Sequence, residues 1–195
     1  MYSKFCIPLD FIPSLDEKSH NDILNWYEIN KKTFYSHYQE NGKTVRGFKN
    51  FDFFSQRTFS SEEDAFAKNI LESNNILINY DRILFLMQRG FIHVPPHTDP
   101  GRTVTLLYNI QGSAISNFYE MENFIPDIDY SLHNLTLVES ITMKLKKWYL
   151  FNNSAIHSVG RINNHTRIAF GINLTERFRD FEDAKDNILT IFKTL

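Results

Sequence analysis

From Asn75 onward the chain is cut into short runs of β-branched, aromatic and aliphatic residues separated by Gly, Asn and Pro. No other feature constrains the fold as much. The runs are ILINYDRILFLMQRG, RTVTLLYNI, SAISNFYEM, NLTLVESITMKL, KWYLFNN, AIHSVGR and TRIAFGINLT. Strands at this spacing predict an antiparallel sandwich or barrel rather than βαβ units. Ahead of them, Ser14-Leu15-Asp16-Glu17 reads as a capping box that opens a helix through about Lys32, and Ser60-Ser61-Glu62-Glu63 does the same before AFAKNILES. Residues 34–58 between the two helices are aromatic and irregular, and FEDAKDNILTIFKTL reads as a closing helix. The expected class is mainly β with flanking helices (α+β), with a jelly-roll-like core over about 75–176. The absence of repeats, low-complexity tracts and linkers predicts a single domain over 1–195.

Composition narrows the partners. With 42% hydrophobic and 15% aromatic residues, the chain can fill a core and is not a disordered one. A net charge of −2 gives no electrostatic footprint for nucleic acid or an anionic membrane, so neither is an expected partner. One cysteine, Cys6, excludes an internal disulfide and a thiolate zinc site. No apolar run approaches the roughly 20 residues of a membrane span, and the start MYSKFCIPLDFIP is too short and interrupted for a signal peptide. A reducing cytoplasm is the expected compartment.

The stretch His93-Val94-Pro95-Pro96-His97-Thr98-Asp99-Pro100-Gly101-Arg102 holds two histidines and a carboxylate. His93 and His97 stand at i and i+4, but Pro95 and Pro96 spoil the helix that this spacing would need. His97 and Asp99 remain. Residues i and i+2 of an extended segment point to the same side, so an imidazole and a carboxylate can meet one ion. Those are two of the three ligands of the 2-His-1-carboxylate triad that holds non-haem Fe(II) with open positions. The third must come from another strand, and His157, in AIHSVGR, is the best candidate. His133 and His165 fall beside Asn residues in apparent turns and His20 falls in the first helix, so all three are expected to be solvated.

Many triad iron enzymes fill two open positions with 2-oxoglutarate, whose distal carboxylate needs a buried cation, ideally the planar fork of an arginine. Arg167 stands ten residues past His157, and a hairpin turn in GRINNH would return it on the neighbouring strand; Arg161 is the competitor but falls in that turn. A His-x-Asp pair alone is common. The ordered set of His-x-Asp, distal His and Arg inside a β-rich half is far more specific.

On these residues the chain resembles the Fe(II)/2-oxoglutarate-dependent oxygenases over about 80–176, through His97-Thr98-Asp99, the strand RTVTLLYN and the run FNNSAIHSVGRINNHTRIAFGINL. The order Trp148, Phe151, Asn152-Asn153-Ser154, His157, Val159, Asn163 or Asn164, Arg167 is similar to the aspartyl/asparaginyl hydroxylase branch, and RTVTLLYN equally to the prolyl hydroxylase branch. The resemblance implies a double-stranded β-helix (jelly roll, cupin-like) core. It implies His97, Asp99 and His157 as iron ligands and Arg167 as the partner of the 2-oxoglutarate C5 carboxylate. Tyr108 or Asn109 would be a second partner, alternation allowing only one of them to face the cavity. Ala169 stands where many relatives carry Ser or Thr. The implied activity is a dioxygenase that uses O2 to hydroxylate a C–H bond of a peptide, protein or amino-acid-like substrate, with release of succinate and CO2. A cupin-like metal enzyme without 2-oxoglutarate and a non-catalytic jelly-roll binding module are the alternatives. His93 could stand just outside the ligands, and the 34–58 stretch could border the substrate mouth or simply cover the sheet.

Overall fold

The computed structural model describes residues 3–40, 54–58, 61–80, 82–88, 94–99, 101–125, 130, 133–160 and 167–192. Among these, the strands are β1 (Cys6–Pro8), β2 (Phe54–Thr58), β3 (Arg82–Gln88), β4 (Val94–His97), β5 (Val104–Gln111), β6 (Ala114–Glu120), β7 (Thr136–Met143), β8 (Trp148–Asn152), β9 (Ile156–Val159) and β10 (Arg167–Asn173). The helices are α1 (Glu17–Glu40), α2 (Ser61–Ser73) and α3 (Phe181–Asn187), the last running into a 3-10 turn at Ile188–Ile191. The strands form two antiparallel sheets, a six-stranded one in the order β1-β8-β5-β10-β3-β2 and a four-stranded one in the order β4-β9-β6-β7. The mainly β class with flanking helices is therefore observed.

The central strands of the larger sheet read as near-continuous apolar runs because both faces are covered. β5 and β10 are buried along almost their whole length. Val104, Leu106, Tyr108 and Ile110 of β5, with Ile168, Phe170 and Ile172 of β10, join the core shared with Ile23 and Tyr27 of α1, Leu71 of α2 and Ala184 of α3. The alternate residues Leu107 and Ala169 join a second core with Phe118, Met143 and Phe151. β7 closes the smaller sheet as an edge strand with mostly exposed side chains.

Several boundaries differ from expectation. The first helix runs on to Glu40, past Lys32, and Phe54–Thr58 is a strand, so much of the stretch 34–58 is regular. The β structure also recruits β1 and β2, which lie ahead of the expected 75–176 core. Helix α1 is capped by Asp16, whose carboxylate accepts the Ser19 N–H at 2.7 Å, while the Ser14 hydroxyl donates to the Lys146 carbonyl. A carboxylate at that position answers both the orphan amides and the positive end of the helix dipole, which a hydroxyl does less well. The closing helix gives way to a 3-10 turn after Asn187. No helix among the described residues is long and apolar enough to cross a membrane.

Candidate metal centre

Pro95 and Pro96 lie in β4, which is extended and at the edge of its sheet. A proline lacks the donor that a central strand needs, and an edge tolerates that lack. β4 pairs with β9 in a register that sets His97 directly opposite His157, with ring centroids 4.3 Å apart. Asp99 follows just past the strand, its N–H donating to the Asn153 carbonyl at 3.0 Å. One ligand atom from each of His97, Asp99 and His157 lies within 4.8 Å of the others. Asp99 Oδ1 is 3.9 Å from His97 Nε2, and Asp99 Oδ2 is 3.7 Å from His157 Nε2.

Both imidazoles are oriented in the same way. His97 Nδ1 lies 2.8 Å from the Pro95 carbonyl and His157 Nδ1 lies 2.9 Å from the Ala155 carbonyl. A neutral ring that donates from Nδ1 leaves the Nε2 lone pair free for a metal. Burial, reinforced by His97, pushes His157 down to about 3 against the pull of Asp99, so its ring is neutral at ordinary pH. Burial alone would raise Asp99, but Arg102, His157, His97 and the amide of Asn153 outweigh it and hold the carboxyl at about 2. Two imidazoles and one carboxylate converging on one point are a donor set that fits Fe(II).

Arg167 opens β10 and is 4% exposed. Its Nε donates to Asn109 Oδ1 at 3.1 Å, and one Nη contacts Met143 Sδ at 3.6 Å. Burial pulls the guanidinium down to about 10, which leaves it charged at neutral pH, and no carboxylate among the described residues is paired with it. His97, Asp99, His157, Arg102, Arg167 and Thr105 all line one cavity of about 50 Å³. The Thr105 hydroxyl and Asn153 Oδ1, both buried and on that cavity's wall, have no hydrogen-bond partner among the described residues.

The structure thus brings together His97, Asp99, His157 and Arg167. Asn109 shares their side of β5 and donates to the Met143 carbonyl while accepting from Arg167. Tyr108 points to the opposite face, where it packs on Trp148 and its hydroxyl accepts the Leu15 N–H at 3.2 Å. The expected pairing of the two strands as a hairpin is not observed: β9 and β10 belong to different sheets, yet His157 and Arg167 line the same cavity. His133 is exposed, as expected, whereas His20 is buried and burial lowers its basicity. It packs at the start of α1 rather than meeting solvent. His93, Arg161, Asn163, Asn164 and His165 lie outside the described residues. Sequence reasoning gave no role in the site to Arg102, Thr105 or Asn153, although all three fall in the stretches it singled out. Thr105 shares the period-2 face of Asn109, and that alternation was the available signal.

No protein-family model matches the chain, and no curated protein matches its sequence. Its fold is similar to that of the non-haem α-ketoglutarate-dependent epimerase SnoN from nogalamycin biosynthesis. A structure of SnoN in complex with Fe3+, α-ketoglutarate and nogalamycin RO superposes with a TM-score of 0.53 and 9% identity, covering 86% of this chain and 77% of that one. A viral collagen prolyl hydroxylase from Paramecium bursaria Chlorella virus-1 gives a TM-score of 0.48 and 12% identity, covering 88% of this chain and 95% of that one. Vicilin from Solanum melongena gives a TM-score of 0.41 and 9% identity over 66% of this chain, which spans only 30% of the vicilin. At these identities the likeness to SnoN is one of fold.

Proposed function

We propose that the chain is an Fe(II)- and 2-oxoglutarate-dependent dioxygenase, built on a double-stranded β-helix core, that hydroxylates a C–H bond of a peptide, protein or amino-acid-like substrate. The observation that carries this reading is one cavity lined both by a His97-Asp99-His157 cluster and by a buried arginine with no carboxylate paired to it among the described residues. A buried cation of this kind calls for an anion, which a ligand carboxylate would supply. The fold shared with SnoN supports the reading.

In this reading His97 Nε2, His157 Nε2 and the Asp99 carboxylate hold the iron. When bound, iron and 2-oxoglutarate would together supply an oxidative decarboxylation in which O2 is the oxidant, one oxygen atom going to succinate, formed with CO2, and the other to the hydroxylated substrate carbon. The chain's own residues do the rest. The Pro95 and Ala155 carbonyls hold each imidazole in the ligating tautomer. Arg167 takes the distal carboxylate of the cosubstrate while Asn109 steadies its Nε side. Ala169 offers no hydroxyl there, and Thr105 supplies a buried cavity hydroxyl that has no partner among the described residues. Leu107 and Phe151 form an apolar part of the wall, limit water and so strengthen every charged contact inside.

The test is anaerobic. Addition of 2-oxoglutarate to Fe(II)-loaded protein is expected to produce a visible charge-transfer band, and admission of O2 to release succinate. Protein that binds Fe(II) but not 2-oxoglutarate would be a cupin-like metal enzyme of another kind, and protein that binds neither would overturn the reading.

A further inference from the structure

We propose that Arg102 and Asn153 are positioning residues of the metal centre, each holding one oxygen of the Asp99 carboxylate so that its orientation is set before a metal arrives. The proposal rests on the metal-centre reading above and adds to it the residues that aim its single carboxylate.

Asp99 lies beyond the last residue of β4, so strand pairing does not fix its side chain. Arg102 Nη2 donates to Asp99 Oδ1, and Asn153 Nδ2 donates to Asp99 Oδ2 at 2.5 Å. Two donors on two different oxygens stop rotation about the Cβ–Cγ bond, and that rotation decides which lone pairs face His97 and His157. The main chain repeats the linkage. Asp99 N–H donates to the Asn153 carbonyl at 3.0 Å, Arg102 N–H to the Asp99 carbonyl at 3.1 Å, and Asn153 N–H to the Thr103 carbonyl at 2.9 Å. The segment after β4 and the turn before β9 are thereby joined into one unit, with Asp99 and His157 at its two ends.

The Asn152-Asn153 pair divides its work. Asn152 Oδ1 accepts from the N–H groups of Ser154 and Ala155 at 3.1 and 3.2 Å, which shapes the turn leading to His157. The amide of Asn153 is not needed for that turn. Its Oδ1 is buried without a hydrogen-bond partner among the described residues, an arrangement that lowers stability. The Asn153 amide is therefore oriented by its other end, the donor to Asp99. Partners of metal-ligating carboxylates in other proteins act in this way on affinity and geometry.

Metal-free parent, Asn153→Ala and Arg102→Ala are titrated with Mn(II) and, separately, with Co(II). Each variant is expected to bind Mn(II) about 10- to 100-fold more weakly than the parent, and to show an altered Co(II) visible spectrum. The metal-free thermal unfolding temperature is expected to fall for both, because each change leaves one oxygen of the largely buried Asp99 carboxylate without its donor. The positioning role is therefore read from the Mn(II) affinity and Co(II) spectrum of the folded variants. Variants that match the parent in Mn(II) affinity and Co(II) spectrum overturn the positioning role while the centre stands. A parent that binds neither metal removes the centre and the positioning role together. If Asn153→Ala does not fold, Arg102→Ala, at a more accessible side chain, decides the question alone.

Discussion

Nε2 of His157, on β9, lies 3.7 Å from Oδ2 of Asp99, which follows β4, so a neutral imidazole and an ionised carboxylate face each other in a largely buried site. The pair makes the metal-free protein sensitive to acid. Burial holds His157 at about 3, against 6.5 for a free ring, so below pH 6.5 only the unfolded chain takes up its proton. Asp99, held at about 2 against 3.8, adds a second loss below pH 3.8. Each contribution is complete above the unfolded value and falls away as pH drops toward the folded one. The slope is about 1.4 kcal/mol per pH unit for each proton taken up only on unfolding. Urea unfolding of metal-free protein between pH 7.5 and pH 4 is expected to show stability falling by a few kcal/mol, beginning near the histidine range. A flat profile across that range contradicts a His157 kept neutral by burial.

Arg167 is a buried cation steadied by an amide, a thioether and no described carboxylate. Replacing such a charge with an apolar side chain is often neutral or stabilising, while a ligand anion that relied on it loses its partner. Arg167→Leu is therefore expected to unfold within about 1 kcal/mol of the parent, or above it. Binding of 2-oxoglutarate is expected to weaken by about 2–5 kcal/mol, with Fe(II) binding retained. Calorimetric titration of both ligands with a urea melt checks this. A large loss of stability with 2-oxoglutarate affinity unchanged would make the arginine a structural group.

Phe118 is fully buried between the sheets, stacked on Phe5 at 5.0 Å and packed against Phe151 at 5.3 Å. Its ring also lies 6.1 Å from that of His157. Phe118→Ala is expected to cost about 3–5 kcal/mol through lost contacts and the cavity left behind, read as a shift in the urea midpoint. A cost below about 1 kcal/mol, the range of a surface change, would mean that the inter-sheet core is not closed around this ring.

Much of the site was legible because its chemistry demands particular side chains in particular local conformations. Pro95 and Pro96 rule out a helix, so His97 and Asp99 had to be read on an extended segment; β4 is one and holds His97, with Asp99 just past its end. The β-rich runs named nearly every strand from Arg82 to Asn173. The N-terminal half was less legible. β1 and β2 are short or flanked by irregular sequence, and what makes them strands is the hydrogen-bonding edges offered by β8 and β3. The extension of α1 past Lys32 also carried no clear signal, since its mixed polar and aromatic residues fit a helix and a loop equally.

By itself the sequence determined the residue types of the site and the two-faced alternation of its strands: Thr105, Leu107 and Asn109 on one side, and Leu106, Tyr108 and Ile110 on the other. It did not determine which side meets the cavity. β9 and β10 are consecutive yet join different sheets, His97 meets His157 only through the β4–β9 register, and Tyr108 turns to the side where Leu15, just ahead of α1, donates its N–H to the Tyr108 hydroxyl. Alternation is a property of each strand alone, whereas register and sheet membership depend on partners far along the chain. Only the tertiary structure could decide that Asn109 stands beside Arg167 and that Arg102 and Asn153 close on Asp99.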